Sequence, residues 1–176
     1  MPVASMSPSL FPQSLDDVTA LAAACAGQDP AALFAAVDAY ARPVLGQTLC
    51  TVNRLDIEKL SLVRLYSSDP QSYPPGGGKD KRGTEWGRHV LLEQKVFVGE
   101  GIEAIRQSFD DHRAIEALGL RSVVNVPLAA RGVCLGTMNF LMPQDSVGAD
   151  KVALARLAGL LALPGMMTLP QTRTGG

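Results

Sequence analysis

Two pairs of β-rich segments, each joined by a short polar turn, constrain the fold of this chain more than any other feature. The first pair covers residues 48–55 and 60–67, and the second covers residues 121–128 and 133–142. Strands that follow each other across a short turn pair antiparallel. Because helical patterns lie before, between and after these pairs, the sequence predicts an α+β domain around a central antiparallel sheet.

Capping signals and apolar stripes mark the helices. Ser14 is the expected N-cap of an Ala-rich first helix over residues 14–26. Asp29 and Pro30 mark the start of a second helix, and we expect Pro43 and Gly46 to end it near residue 41. The other predicted helices cover residues 101–109, 112–118 and 150–163.

The remaining segments are irregular in pattern. Residues 69–84 are rich in Pro, Gly and charged residues, which predicts a long mobile loop. Residues 88–98 predict an extended segment. Residues 1–13 and 166–176 are rich in Pro, Ser, Thr and Gly, which predicts flexible tails around a single domain over residues 14–165.

The charge balance and the cysteines limit the classes of function. Sixteen basic and seventeen acidic residues give a net charge of −1, which argues against nucleic acid or an anionic membrane as a direct partner. Three scattered cysteines without a C-x-x-C pair suit a reducing compartment. The amino terminus lacks a signal-peptide pattern, and the most apolar stretch, residues 152–163, is too short to span a bilayer. We therefore expect a cytoplasmic protein.

Strict alternation along the predicted strands gives each strand one apolar face and one face with polar groups. Such a polar face is either solvated or, if residues 69–120 cover it, the floor of a pocket. The candidate ligand-binding residues are Thr51, Asn53, Arg64, Tyr66, Asn125, Thr137 and Asn139 on the floor, with Trp86 and His89 as walls.

The roles of these side chains follow from their chemistry. The Arg64 guanidinium is suited to an anionic group of a ligand, and Tyr66 and Trp86 to a planar group. The alternative is that Arg64 pairs with Glu85 or Glu93 and that the asparagines satisfy one another or water.

The sequence predicts no catalytic constellation and assigns no cofactor or metal. The run from Gly76 to Lys79 lacks the spacing of a phosphate-binding loop. Two histidines in the whole chain, His89 and His112, give little basis for a metal site, although acidic residues lie near both. We expect Asp110 and Asp111 to cap the helix that follows them instead.

Residues 118–128, followed by residues 132–141, resemble the last hairpin of a GAF domain. The shared pattern is a Gly-x-x-Ser strand that ends in hydrophobic-Pro-hydrophobic, a turn with Gly, and a strand that begins apolar-Gly. Trp86 and residues 109–112 also suit bacterial GAF-type sequences, and the resemblance covers about residues 30–165. It implies a sheet of five or six strands, with the terminal helices on one face and a ligand pocket under short helices and loops on the other.

GAF domains are typically sensory or regulatory modules that bind small molecules, often as dimers. The resemblance therefore implies a non-enzymatic bacterial sensor that binds a small molecule and signals through a homodimer. The Asn-Lys-x-x-Phe-Asp-Glu run of the cyclic-nucleotide branch and the cysteine of bilin-carrying relatives are absent. Two alternatives stay open: a redox enzyme of the free methionine sulfoxide reductase type that uses Cys50 or Cys134, and a scaffold protein whose pocket is filled by its own side chains.

The apolar surface of the last helix supports the expected homodimer. Residues 150–163 carry more apolar side chains than one sheet face requires, and such an excess usually marks an interface. The alternative is that the first and last helices simply cover the same sheet.

Overall fold

Six strands form one antiparallel sheet in the computed structural model, which describes residues 15–169. The strands are β1 (Leu49–Asp56), β2 (Ser61–Ser67), β3 (Gly78–Asp80), β4 (Phe97–Glu100), β5 (Ser122–Ala130) and β6 (Val133–Met142). They are hydrogen-bonded in the order β3-β2-β1-β6-β5-β4, and every neighbouring pair is antiparallel. The predicted α+β class and both predicted hairpins are confirmed.

The sequence predicted five of the six α-helices among the described residues, of which the second and the last are longer than predicted, and it did not predict the short helix over residues 85–87. They are α1 (Leu15–Ala26), α2 (Pro30–Leu45), α3 (Glu85–Gly87), α4 (Gly101–Ser108), α5 (His112–Ala117) and α6 (Ala149–Met167). A π-helical turn, Arg88–Leu92, continues α3. Asp29 caps α2 as predicted, since its carboxylate accepts the Ala31 amide at 3.0 Å. The predicted Ser14 cap lies outside the described residues.

Two layers cover the two faces of the sheet. The main core lies between the sheet and helices α2 and α6, and it includes Phe34 and Val37 from α2 and Phe140 from β6. On the other face, two smaller clusters join the sheet to α3, the π-helical turn, α4 and α5. This arrangement confirms the predicted helix layer and covered face. No helix among the described residues is long and apolar enough to cross a membrane.

Small residues let α6 approach its neighbours closely. A Cβ atom on Gly159 would lie 2.7 Å from a methyl carbon of Val126, and one on Gly165 would lie 2.8 Å from the Phe34 ring. Both distances are shorter than van der Waals contact, so these positions accept only glycine without movement of the neighbours.

Two prolines, Pro43 and Pro164, lie inside helices that were predicted to end before them. Helix α2 passes through Pro43 and ends at Gly46, which has φ 69°, and α6 passes through Pro164 to Met167. Both prolines are exposed, so the carbonyl groups that lose a helical partner lie on the solvent side of the last turns. The predicted boundary at 165 is therefore early, because Met166 is buried in the main core.

The prediction is wrong for two segments that have no clear pattern in the sequence. Residues 78–80, expected within a loop, pair with β2 as strand β3 at one edge of the sheet. Residues 88–98 were expected to be extended; residues 88–92 form the π-helical turn instead, and only Phe97 and Val98 are extended, as the start of the other edge strand, β4. Edge pairing depends on backbone groups, so the side-chain pattern carries little of this information.

A β-bulge in β2 alters which of its side chains reach each face. Val52 of β1 pairs with Tyr66, while the next residue, Asn53, pairs with Arg64. One residue of β2, Leu65, is therefore extra, and side chains on either side of it no longer follow simple alternation. The prediction that Arg64 and Tyr66 share a face is wrong for this reason.

Candidate functional site

A cavity of about 60 Å³ lies between the polar face of the sheet and the covering segment. Its floor comes from β1, β5 and β6, and its walls come from β2, β3, α3, α5 and the loop before β3. Pockets that hold drug-sized ligands measure about 300–1,000 Å³, so this cavity suits a much smaller molecule.

The floor is a chain of hydrogen bonds between polar side chains. Trp86 Nε1 donates to Asn125 Oδ1 at 2.9 Å, and Asn125 Nδ2 donates to Asn139 Oδ1 at 2.8 Å. Asn139 Nδ2 in turn donates to the hydroxyl oxygens of Thr51 and Thr137 at 3.1 and 3.2 Å. The alternative that the asparagines satisfy one another is therefore confirmed, and the floor side chains are held by hydrogen bonds to one another.

Arg64 forms one wall and retains an unused donor. Its guanidinium carbon lies 5.0 Å from the centre of the Tyr73 ring, and Nη1 donates to the Pro74 carbonyl oxygen at 3.0 Å. Nε is buried and has no hydrogen-bond partner among the described residues. No ion pair joins Arg64 to Glu85 or Glu93 within the part of the chain that the structure describes, so that alternative is wrong.

Asp111 forms the opposite wall with Lys79. Lys79 Nζ donates to Asp111 Oδ2 at 2.6 Å, while Asp111 Oδ1 is buried without a partner in the described residues. Burial raises the pKa of Asp111, but the hydrogen bond and charge of Lys79 outweigh it, so the pKa is lower than usual. Asp111 makes no side-chain capping bond to α5, and the predicted capping role of its carboxylate is wrong.

The cavity is rich in positive charge. Lys81 is only 5% exposed, and its Nζ lies 5.1 Å from the centre of the Trp86 ring. Burial and the charge of Lys79 lower the pKa of Lys81, and burial lowers the pKa of Arg64. Three cations face one carboxylate, Asp111, so the electrostatics favour an anionic group in the cavity.

Six of the nine predicted ligand-binding residues line this cavity, and three do not. Thr137 is fully buried under the floor, where it accepts from Asn53 at 3.3 Å. Tyr66 lies on the helix side of the sheet, bonded to Asp38 of α2. His89 bonds the Val96 carbonyl oxygen at 3.1 Å and lies outside the cavity lining. The six that line the cavity are Thr51, Asn53, Arg64, Trp86, Asn125 and Asn139.

Sequence reasoning missed four wall residues with polar side-chain groups: Tyr73, Lys79, Lys81 and Asp111. The first three lie in the segment interpreted as a loop. One feature of the sequence could have indicated two of them. Lys79 and Lys81 are separated by one residue, so their side chains share a face once β3 pairs with β2.

The two buried cysteines lie outside the cavity lining. Cys50 lies in the main core and Cys134 in a cluster with Trp86, and neither lines the cavity. Burial is the largest cause that raises the pKa of each thiol. Within residues 15–169, no group of three or more His, Cys, Asp or Glu side chains is placed to hold a metal ion.

The fold matches solved GAF domains over most of their length. The GAF domain of an Acinetobacter phosphoenolpyruvate-protein phosphotransferase aligns with TM-score 0.65 and 10% identity, covering 88% of this chain and 94% of that domain. Residues 122 to 287 of a methyl-accepting chemotaxis protein align with TM-score 0.65 and 18% identity, covering 86% of this chain and 94% of that one. A protein solved in its far-red-absorbing dark state with bound biliverdin IXα aligns with TM-score 0.64 and 14% identity, covering 87% of this chain and 97% of that one.

The similarity lies in the structure and not in the sequence. No family model matches the sequence, and a search of curated proteins finds no significant match. The strand order, the helix layer and the covered polar face place this chain in the class of α+β proteins with the GAF-domain fold.

Proposed function

We propose that this protein is a sensory or regulatory GAF-fold module that binds a small anionic molecule in the cavity and signals as a homodimer. One observation carries the proposal. Of the five buried side-chain polar atoms without a partner among the described residues, three belong to residues that line this one cavity. They are Arg64 Nε, Tyr73 Oη and Asp111 Oδ1, and the Tyr73 hydroxyl lies beside the Asp111 carboxylate. Buried polar atoms are nearly always hydrogen-bonded, so a cluster of unsatisfied ones indicates a ligand or ordered water.

The structural neighbours are compatible with a sensory role. One is part of a methyl-accepting chemotaxis protein, and another carries a bound small molecule, biliverdin IXα. The present cavity is far smaller than a tetrapyrrole requires, so the comparison supports the location of a ligand and not its identity.

The β2 bulge supplies a route from the cavity to the helix layer. Arg64 lines the cavity, and two residues later Tyr66 donates to the buried Asp38 carboxylate of α2 at 2.9 Å. A ligand that shifts Arg64 therefore acts on the short strand segment that also holds α2.

The exposed face of α6 supports the homodimer. Leu160 is 64% exposed and Met167 is 56% exposed, and Leu157 lies one turn before Leu160. Exposed apolar side chains on a terminal helix favour association with a second copy. Light scattering at micromolar concentration should give a dimer, and Leu160→Glu should give a monomer. A monomer in the unchanged protein refutes the dimer.

The alternatives differ in what the structure offers them. The reductase alternative lacks a cysteine in the cavity lining. The scaffold alternative is favoured by the small volume of the cavity and by the self-satisfied floor. A scaffold should gain no stability from any small molecule.

Ligand-dependent thermal stability distinguishes the proposal from the scaffold. Small molecules extracted from natively purified protein are identified by mass spectrometry and added back. At about 100 times the dissociation constant, a ligand adds about 2.7 kcal/mol, or about 5–11 °C in Tm for a chain of this size. Arg64→Met should abolish this gain, whereas Arg121→Met, which removes an exposed pair with Asp145, should leave it intact. No co-purified compound and no stabilisation from an anion library would refute the proposal.

A further inference from the structure

We propose that the side-chain amine of Lys81 reacts reversibly with dissolved carbon dioxide to form a carbamate inside the cavity. A bond forms between Nζ and the carbon atom, one C–O π bond opens to leave a carboxylate, and the nitrogen releases one proton to water. The reaction needs no oxidant, reductant or second reactant. The inference rests on the proposed function and deepens it, because the anion in the cavity is then made in place.

Lys81 differs from the other lysines of the chain in the surroundings of its side-chain nitrogen. The others all lie within residues 15–169 and hold Nζ near a carboxylate or a backbone carbonyl oxygen: they are Lys59, Lys79, Lys95 and Lys151. Lys81 Nζ has no oxygen partner among the described residues and lies 5.1 Å from the centre of the Trp86 ring. It is also not one of the five buried polar atoms without a partner, so it is open to the cavity that Lys81 lines.

The backbone of Lys81 is held between the turn before β2 and the start of α3. Its amide donates to the Leu60 carbonyl oxygen at 2.9 Å, and its carbonyl oxygen accepts the Thr84 hydroxyl at 2.8 Å. Gly87 packs directly against it, since a Cβ atom there would lie 2.5 Å from the Lys81 carbonyl oxygen. These contacts leave Lys81 only 5% exposed and fix the point from which its side chain enters the cavity.

The surroundings of Lys81 favour the neutral amine, which is the form that attacks carbon dioxide. Burial is the largest cause that lowers its pKa, and the positive charge of Lys79 lowers it further. The carboxylates of Asp110 and Asp111 act in the opposite sense without reversing the shift. Desolvation beside a second cation activates a lysine as a nucleophile.

Charge selects carbon dioxide among the small electrophiles that react with amines. With Lys81 protonated, the cavity lining holds three cations and one carboxylate, Asp111. A Schiff base with an aldehyde or a ketone keeps a basic nitrogen, and an amide is neutral, so both products leave positive charge in excess. A carbamate replaces one cation by an anion, which leaves Arg64 and Lys79 with two carboxylate groups.

The size of the cavity also suits a carbamate. The reaction adds one carbon and two oxygen atoms, and a cavity of about 60 Å³ holds about four to six waters at about 10–15 Å³ each. The new carboxylate shares this space with Arg64 and Lys79. Charge-assisted hydrogen bonds from guanidinium and ammonium groups are about twice as strong as neutral ones, so these two side chains stabilise the product.

Chemical trapping on the full chain tests the proposal. The folded protein is equilibrated with isotopically labelled carbon dioxide, a trialkyloxonium salt converts carbamates into stable esters, and peptide mass spectrometry locates the label. We expect label on Lys81 and at least about tenfold less on Lys59 and Lys95, whose exposed ammonium groups are ion-paired.

Three variants assign the label. Lys81→Arg keeps the positive charge without an amine and should abolish the label, whereas the matched Lys95→Arg should keep it. Arg64→Met should raise the carbon dioxide concentration for half-labelling at least about tenfold, because a cation that stabilises the carbamate is lost. If Lys81→Arg or Arg64→Met does not fold, as judged by circular dichroism, the unchanged protein still decides: its Lys81 label should disappear when the protein is unfolded in urea before trapping.

Three outcomes overturn the proposal: no label on Lys81 under saturating carbon dioxide, equal labelling of Lys59 and Lys95, or an unchanged half-labelling concentration in folded Arg64→Met. If Lys81 stays unlabelled but an anion stabilises the protein and Arg64→Met abolishes this gain, carbamate formation is wrong and the proposed function stands. If Lys81 stays unlabelled and no small molecule stabilises the protein, both fail.

Discussion

Replacing Tyr66 with phenylalanine removes one oxygen atom from a buried hydrogen-bond network between β2 and α2. In the native protein the Tyr66 hydroxyl donates to Asp38 Oδ2 at 2.9 Å. The same carboxylate accepts from Arg42 Nη2 at 2.6 Å and from Gln47 Nε2 at 2.8 Å. The Asp38 side chain is 2% exposed, so water does not replace a lost donor easily.

The expected loss of stability in Tyr66→Phe follows from the negative charge of the acceptor, the Asp38 carboxylate. A hydrogen bond to a charged group contributes about 1.5–3 kcal/mol, against about 0.5–1.5 kcal/mol for a neutral pair. Arg42 and Gln47 still hold the carboxylate in the variant, which favours the lower end. We expect Tyr66→Phe to reduce the free energy of unfolding by about 1.5–2 kcal/mol and Tm by about 3–8 °C.

Urea unfolding followed by far-ultraviolet circular dichroism measures this difference. Tyr40→Phe is a matched control, since Tyr40 packs against the same core from α2 without a hydrogen bond of its hydroxyl to the network. Its change should stay within about 0.5 kcal/mol. A loss below about 0.5 kcal/mol for Tyr66→Phe, or a loss of ligand binding without a loss of stability, would refute the assignment of Tyr66 to the helix side.

Three further predictions test other features. Gly136→Ala should destabilise by more than about 2 kcal/mol in urea unfolding, because its Cβ would lie 2.0 Å from the Asn53 backbone oxygen, whereas Gly148→Ser should be nearly neutral. In the native protein a thiol reagent should label exposed Cys25 quickly and the two buried cysteines only on unfolding; three equal rates would contradict the burial. The pKa of Asp111 is lower in the folded protein than its value of about 4 in the unfolded chain. The Lys79–Asp111 ion pair therefore stabilises the fold fully above about pH 4, and this stabilisation is lost as the pH falls through the pKa of Asp111 in the folded protein. The acid transition should therefore be shallower in Asp111→Asn, and an unchanged transition would show that Asp111 contributes nothing.

Most of the sheet could be predicted because β1, β5 up to Leu128, and β6 from Gly136 onward alternate without interruption. In these stretches the residues alternate between the helix layer and the covered face, where Leu49, Val123 and Leu141 lie beside the polar residues. The prediction of the faces of β2 was wrong because Leu65 is an extra residue opposite β1. A bulge of this kind is decided by the pairing of two strands, and nothing in the β2 residues alone signals it.

The candidate site could be predicted only on the side that belongs to regular strands. The floor residues Asn125 and Asn139 follow from alternation, but the unused polar atoms lie elsewhere. Tyr73 lies in a loop whose position depends on the pairing of β3 with β2, and Asp111 points into the cavity instead of capping α5. Local sequence patterns favoured a loop at Tyr73 and a helix cap at Asp111, because the contacts that place both residues in the cavity wall join segments far apart in the sequence.

Trp86 is the only tryptophan of the chain, and it stands in the wall of the cavity. Its indole nitrogen is bonded to the floor through Asn125, its ring edge meets Phe109, and the ammonium of Lys81 lies 5.1 Å from its centre. Indole emission responds to nearby charge and polarity, and no second indole contributes a background. The protein thus carries one intrinsic fluorophore in the wall of the cavity, so its emission spectrum can test the proposed ligand binding in solution without a label.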